Sequence, residues 1–121
     1  MKPTLEIAER DLESLDAIWS GGLGEAWEAY RDHHPDGRVV LAAALVETGV
    51  QLQGLGAHIA PPGELLLGDL CLARASRLLA DAGDRDLQVA FARAVETVAA
   101  EAATGEAVSP IRDLLRSALA K

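Results

Sequence analysis

Nineteen Asp and Glu side chains, three histidines and one cysteine are the groups of this 121-residue chain that could do chemistry. Their spacing decides how much of it they can do. Glu6, Glu9, Glu13 and Asp16 recur at steps of three, four and three, so a helix would set all four on one face. Such a line could offer oxygen ligands to a divalent ion, but an oxygen-ligand site needs groups converging from several elements. Carboxylates in a row along one outer face repel each other and prefer water, so the line reads as a solvated face. His33, His34 and His58 take part in no Glu-x-x-His pair, which removes the di-iron signature of helical bundles. They form no His-x3-His pair either, so a helical zinc site is unsupported. His33-His34 reads as part of a turn, and His58 as the end of a helix, where a cationic side chain suits the dipole. In "DAGDRD", Asp84 is explained as a helix cap and Asp86 as a first-turn acid; Asp81 completes the junction. Cys71 has no second cysteine to bridge to and reads as a small buried hydrophobe. The glycine-rich "SGGLG" (20–24) lacks the strand and the lysine of a phosphate loop. The expectation is no catalytic residue, no metal ligand and no cofactor.

The elements that would position these groups are helices. Half of the residues are apolar but only 3% are aromatic, and alanine and leucine dominate; these are inexpensive helix formers. No short alternating run of β-branched residues suggests a strand. One domain over 1–121 is expected, large enough to bury roughly two thirds of its unfolded surface. A net charge of −8 with scattered basic residues excludes nucleic acid as a partner, because phosphate backbones need basic patches. The acidic start "MKPTLEIAERDLESLD" has no apolar signal core. No window reaches the roughly 18 apolar residues of an integral membrane segment, and a cytoplasmic protein is expected.

Turn signals divide the chain into six expected helices, forming a compact all-α bundle. The first, about 3–19, carries the apolar stripe Leu5, Ala8, Leu12, Leu15 and Ile18 or Trp19 opposite its acidic face. The second, about 25–33, ends at "HHPDG". The third, about 38–58, is apolar nearly all round in its first half and is expected at the centre. Gly49, Gly54 and Gly56 lie in its second half, each costing stability unless close packing needs a missing side chain. The fourth, about 64–82, is followed by Gly83 as its C′ residue. The fifth, about 85–104, starts at the Asp84 cap and stops at Gly105. The sixth follows Ser109-Pro110, read as N-cap and first-turn proline.

The segment "LLLGDLCLARASRLLADAGDRDLQVAFARAVETVAAEAATGE" resembles the middle of trans-polyprenyl diphosphate synthases. There a Gly-Asp pair opens a long apolar helix, an Ala-Arg-Ala step follows, and the next helix ends in Gly-Glu. The matching pieces are Gly68-Asp69, Ala73-Arg74-Ala75 and Gly105-Glu106. Upstream, "GRVVLAAALVETGVQLQGLGAHIA" resembles the preceding core helix of that family, so the likeness spans about 38–106. It implies a truncated isoprenoid synthase fold. The family's first aspartate-rich motif, Asp-Asp-x-x-Asp, which holds magnesium on the allylic diphosphate, is missing. So is the Arg-Arg-Gly that follows it: the corresponding stretch reads "LGAHIAPPGELLLGD". The second aspartate-rich motif would fall beyond Lys121.

Ionising an allylic diphosphate requires the departing pyrophosphate to be neutralised by divalent ions and cationic side chains. Without a carboxylate cluster to hold those ions, the chain is expected not to be an enzyme on its own. The resemblance instead implies a noncatalytic accessory subunit, like the small subunits of two-component long-chain polyprenyl diphosphate synthases, helping to set prenyl chain length through a helical interface. Its partner would be the catalytic subunit or a second copy of itself. The expected contact residues are Leu66, Leu67, Leu70, Cys71 and Leu78, with Asp69 and Arg74 fixing register. The alternative is a homodimeric, isoprenoid-synthase-like helical binding or scaffold protein for a hydrophobic ligand.

Overall fold

The structure, a computed structural model, describes residues 22–54 and 62–120. The helix expected over about 3–19, with its acidic face and its apolar stripe, lies outside them, as does His58. Among these residues five helices follow in chain order: α1 (Gly24–Tyr30), α2 (Gly37–Leu52), α3 (Pro62–Ala82), α4 (Arg85–Thr104) and α5 (Ile111–Leu119). No strand occurs among the described residues. The architecture is an all-helical bundle, as composition and turn spacing imply.

α2 is the axis of the core. From Val39 to Val50 every side chain but Leu41 is buried. The other four helices pack around it, with α3 in by far the most extensive contact. Leu23, Ala26 and Tyr30 come from the α1 side, Cys71, Ala75 and Leu79 from α3, Leu87, Phe91, Ala94 and Val98 from α4, and Ile111 and Leu115 from α5. On α4 the buried residues repeat at steps of four, three and four, the one-sided stripe of an amphipathic helix.

The α2–α3 crossing is close because two glycines meet there. A methyl group on Gly49 would stand 3.0 Å from the Gly68 carbonyl oxygen, and one on Gly68 would stand 2.9 Å from that of Gly49. Gly49 is therefore spent on backbone approach, as its place in an apolar helix requires. Gly54 does something else: at φ 71° it adopts the left-handed conformation just past the helix end. α2 consequently ends at Leu52, six residues before the expected end at residue 58. α1 also stops early, at Tyr30, and its chain turns through His33, whose N–H donates to the Tyr30 carbonyl at 2.9 Å. His34 belongs to the same turn, its Nδ1 accepting from the Asp36 N–H at 3.0 Å.

Caps explain the remaining boundaries. The Asp36 carboxylate accepts from the Arg38 N–H at 2.9 Å at the start of α2, a cap the sequence reading overlooked. Gly83 and Gly105, at φ 74° and 75°, close α3 and α4. Asp84 accepts from the Leu87 N–H at 3.0 Å and starts α4. Asp84→Ala is expected to lower the unfolding free energy by about 1 kcal/mol in urea denaturation, the usual worth of an N-cap side chain; no change would mean the cap is redundant. Ser109 does not cap α5. Its N–H and hydroxyl both donate to the Glu101 carboxylate, at 2.9 and 3.0 Å, tying the α4–α5 connection to α4 instead. Pro110 precedes α5 without a side-chain cap bond.

Candidate functional site

α3 has two faces of different character. Gly68, Cys71, Ala75 and Leu79, at steps of three, four and four, point into the core. On the other side of its N-terminal half, Leu66 and Leu70 are left 65% and 40% exposed, and Leu65, on the flank between the two faces, is 42% exposed. A lone exposed leucine needs no explanation, but Leu66 and Leu70, four residues apart on one face, adjoin each other, with Leu65 at their flank. Asp69 lies among them, exposed, its carboxylate accepting from the Gln53 side-chain amide at the end of α2. Ala73 and Arg77 continue the outward stripe from Leu66 and Leu70 at helical spacing.

The seven residues expected at an interface therefore divide. Leu66, Asp69 and Leu70 face outward. Leu67 and Leu78 are half-buried against the chain's own core. Arg74 is half-buried and has a partner within the chain. Cys71, 2% exposed, is part of the core itself and reaches no partner while the chain is folded. Leu65 belongs to the patch and was missed; its position one residue before Leu66 and four before Asp69 was the available signal.

Burial gives Cys71 a measurable property. Desolvation pushes its thiol up to about 11, with the positive charge of Arg74 opposing. Burial also raises the Tyr30 phenol, helped by its hydrogen bond to Glu47. A raised folded-state pKa means that the unfolded chain loses its proton first. The thiol's contribution is thus whole below about pH 8.5, the value of a free thiol, and is lost as pH rises through about 11. Tyr30 adds to the same slope above about pH 10. The unfolding free energy is expected to fall by about 2–3 kcal/mol between pH 8.5 and 10.5, and Cys71→Ala to flatten the lower part of that decline. A flat wild-type profile over this window would refute the buried thiol.

On the other side of α2 lies a polar cluster that the sequence reading did not single out. Glu47, 2% exposed, accepts from the Tyr30 hydroxyl at 2.7 Å. It also takes two hydrogen bonds from Arg112, from Nε at 2.9 Å and from Nη2 at 2.7 Å. The same guanidinium reaches Glu25 at the surface, Nη1 at 3.1 Å and Nη2 at 2.7 Å. Arg112 holds the Glu25 carboxyl below its ordinary value, chiefly through these hydrogen bonds, and the two carboxylates raise the pKa of Arg112 in turn. The cluster joins α1, α2 and α5. Every atom of the Glu47 carboxylate is matched by donors, so its role is to fix how three helices meet.

Among the described residues, no group of three or more His, Cys, Asp or Glu side chains is placed to hold a metal ion. No described helix is long and apolar enough to cross a membrane. No protein-family model, curated protein or solved structure matches the chain.

Proposed function

We propose that the chain is a noncatalytic accessory subunit of a long-chain polyprenyl diphosphate synthase, pairing with the catalytic subunit through the outward face of α3 and helping to set the length of the product. The observation that carries this reading is the uncovered row Leu65, Leu66 and Leu70. It flanks the Gly68-Asp69 pair on which the resemblance turns. The Gln53–Asp69 hydrogen bond at its edge supplies a polar group able to fix register.

Magnitudes bound the interface. Burying the exposed parts of three leucines yields about 3 kcal/mol, less than the free energy that association costs in lost motion. A stable pair must therefore also cover the rest of the stripe, through Ala73 to Arg77. In such a pair the catalytic subunit supplies the magnesium-binding carboxylates, while α3 stands as a wall against it.

The test is the product spectrum of a full-length polyprenyl diphosphate synthase with and without this protein. Adding the wild-type chain is expected to shift the distribution of chain lengths, and adding the Leu66→Glu, Leu70→Glu double variant is not. An unchanged distribution with the wild-type chain would sink the reading. Self-association through the same face, without effect on the synthase, would favour the homodimeric alternative.

A further inference from the structure

α3 and α4 are joined by the tight Gly83-Asp84 turn, yet they touch far more sparingly than α2 and α3 do. Between them lies a half-open cavity of about 250 Å³. Side-chain size accounts for the gap: Ala75 and Ser76 on α3, and Ala92 on α4, line it with little bulk. Its depth is set by burial. Ala75, Leu79 and Phe91 are at most 2% exposed and form the inner wall, whereas Ser76 and Ala92 are exposed at the mouth. Gln88 stands half-buried at that mouth, its side-chain amide donating to the Ser76 carbonyl at 3.3 Å.

Among the described residues, no charged side chain lines the cavity. A phosphate or carboxylate drawn inside would lose its hydration without a counter-charge. Water against this lining is poorly served as well, since Ser76 and Gln88 are the polar side chains among the described residues there. A sealed apolar cavity of about 150 Å³ accepts benzene; this one is larger but half open, so its occupant stays partly exposed. We propose that it binds an uncharged, compact hydrocarbon group of about two fused rings' bulk bearing one hydrogen-bonding atom. The hydrocarbon rests on the half-buried Leu72 and Val95 and on Ala92 at the mouth, with Leu79 and Phe91 behind them, and the polar atom meets the Gln88 carboxamide. The proposal depends on the cavity alone and is independent of pairing through the outer face of α3.

Titration calorimetry of the full chain with 2-naphthol tests it. One saturable site is expected, with a Kd on the order of 100 µM, typical of so small a ligand. Ala92→Leu narrows the mouth at an exposed position and is expected to weaken binding at least tenfold while leaving the thermal midpoint unchanged. Gln88→Ala is expected to weaken 2-naphthol several-fold but to leave naphthalene, which has no hydroxyl, unaffected. The proposal is overturned by absence of saturable binding at about 1 mM naphthol. Undiminished affinity in Ala92→Leu overturns it equally. Equal effects of Gln88→Ala on both probes overturn the assigned orientation.

Discussion

Replacing Arg112 by methionine is expected to lower the unfolding free energy by about 3–5 kcal/mol, measured by urea denaturation at neutral pH. Among the described residues, Arg112 supplies two of the three hydrogen bonds to the Glu47 carboxylate. Their loss leaves a charge in the core with only the Tyr30 hydroxyl to face. The size of the effect follows from that orphaned charge, since a buried ion pair set against well-packed apolar groups is often worth nothing net. Combining Arg112→Met with Glu47→Met and Tyr30→Phe should therefore recover most of the loss. Glu25 behaves differently: its side chain is 70% exposed, and Glu25→Gln should leave the unfolding free energy nearly unchanged, as exposed pairs do. A loss below about 1 kcal/mol for Arg112→Met would place Glu47 in water and remove the cluster from the core.

The α2–α3 crossing predicts opposite signs for one substitution at two glycines of the same helix. Gly63→Ala adds a methyl group with nothing within 4 Å of it. It should stabilise by about 0.4–1 kcal/mol, because it restricts the unfolded chain. At Gly68 the same methyl group meets the Gly49 carbonyl oxygen at 2.9 Å and the Gln53 side chain closer still. Gln53 can swing aside, but the carbonyl moves only with its helix. Overpacking costs about 1–3 kcal/mol and outweighs the helix-propensity gain of up to about 1 kcal/mol. Gly68→Ala should therefore be net destabilising, and Gly68→Val should lose about 3 kcal/mol or more, since its branches add to the same clash. A stabilising Gly68→Ala would mean that the helices do not cross at the glycines.

Where local chemistry sets a boundary, the sequence is readable residue by residue. α4 begins after Asp84 and ends before Gly105, as the cap and the left-handed glycine require. The end of α2 was not readable, because Gly49 and Gly54 look alike in an Ala/Leu-rich run. Only the facing helix shows that Gly49 is needed for approach and Gly54 for turning. Ser109 illustrates competition: the Ser-Pro pattern suggests a cap, but Glu101 lies close enough to claim both of its donors.

The candidate surface was legible in part for the same reason. Helical spacing placed Leu66, Asp69 and Leu70 together, but a helix apolar on most sides does not announce which side its own core takes. Cys71 went to the core, and Leu65 joined the outer row. The Glu47 cluster left little local trace. Its partners Arg112 and Glu47 are 65 residues apart, and Arg112 and Glu25 are 87 apart. A single glutamate inside an otherwise apolar helix was the one visible sign that a distant cation had to come to it.

The central claim is that the leucine row of α3 is a surface for another helical protein. Light-scattering mass of the chain mixed with a full-length polyprenyl diphosphate synthase measures it most directly. The account predicts a complex heavier than the synthase alone, abolished by Leu66→Glu together with Leu70→Glu while the variant keeps its helicity. Separate elution of the two wild-type proteins, each at its own mass, would contradict it.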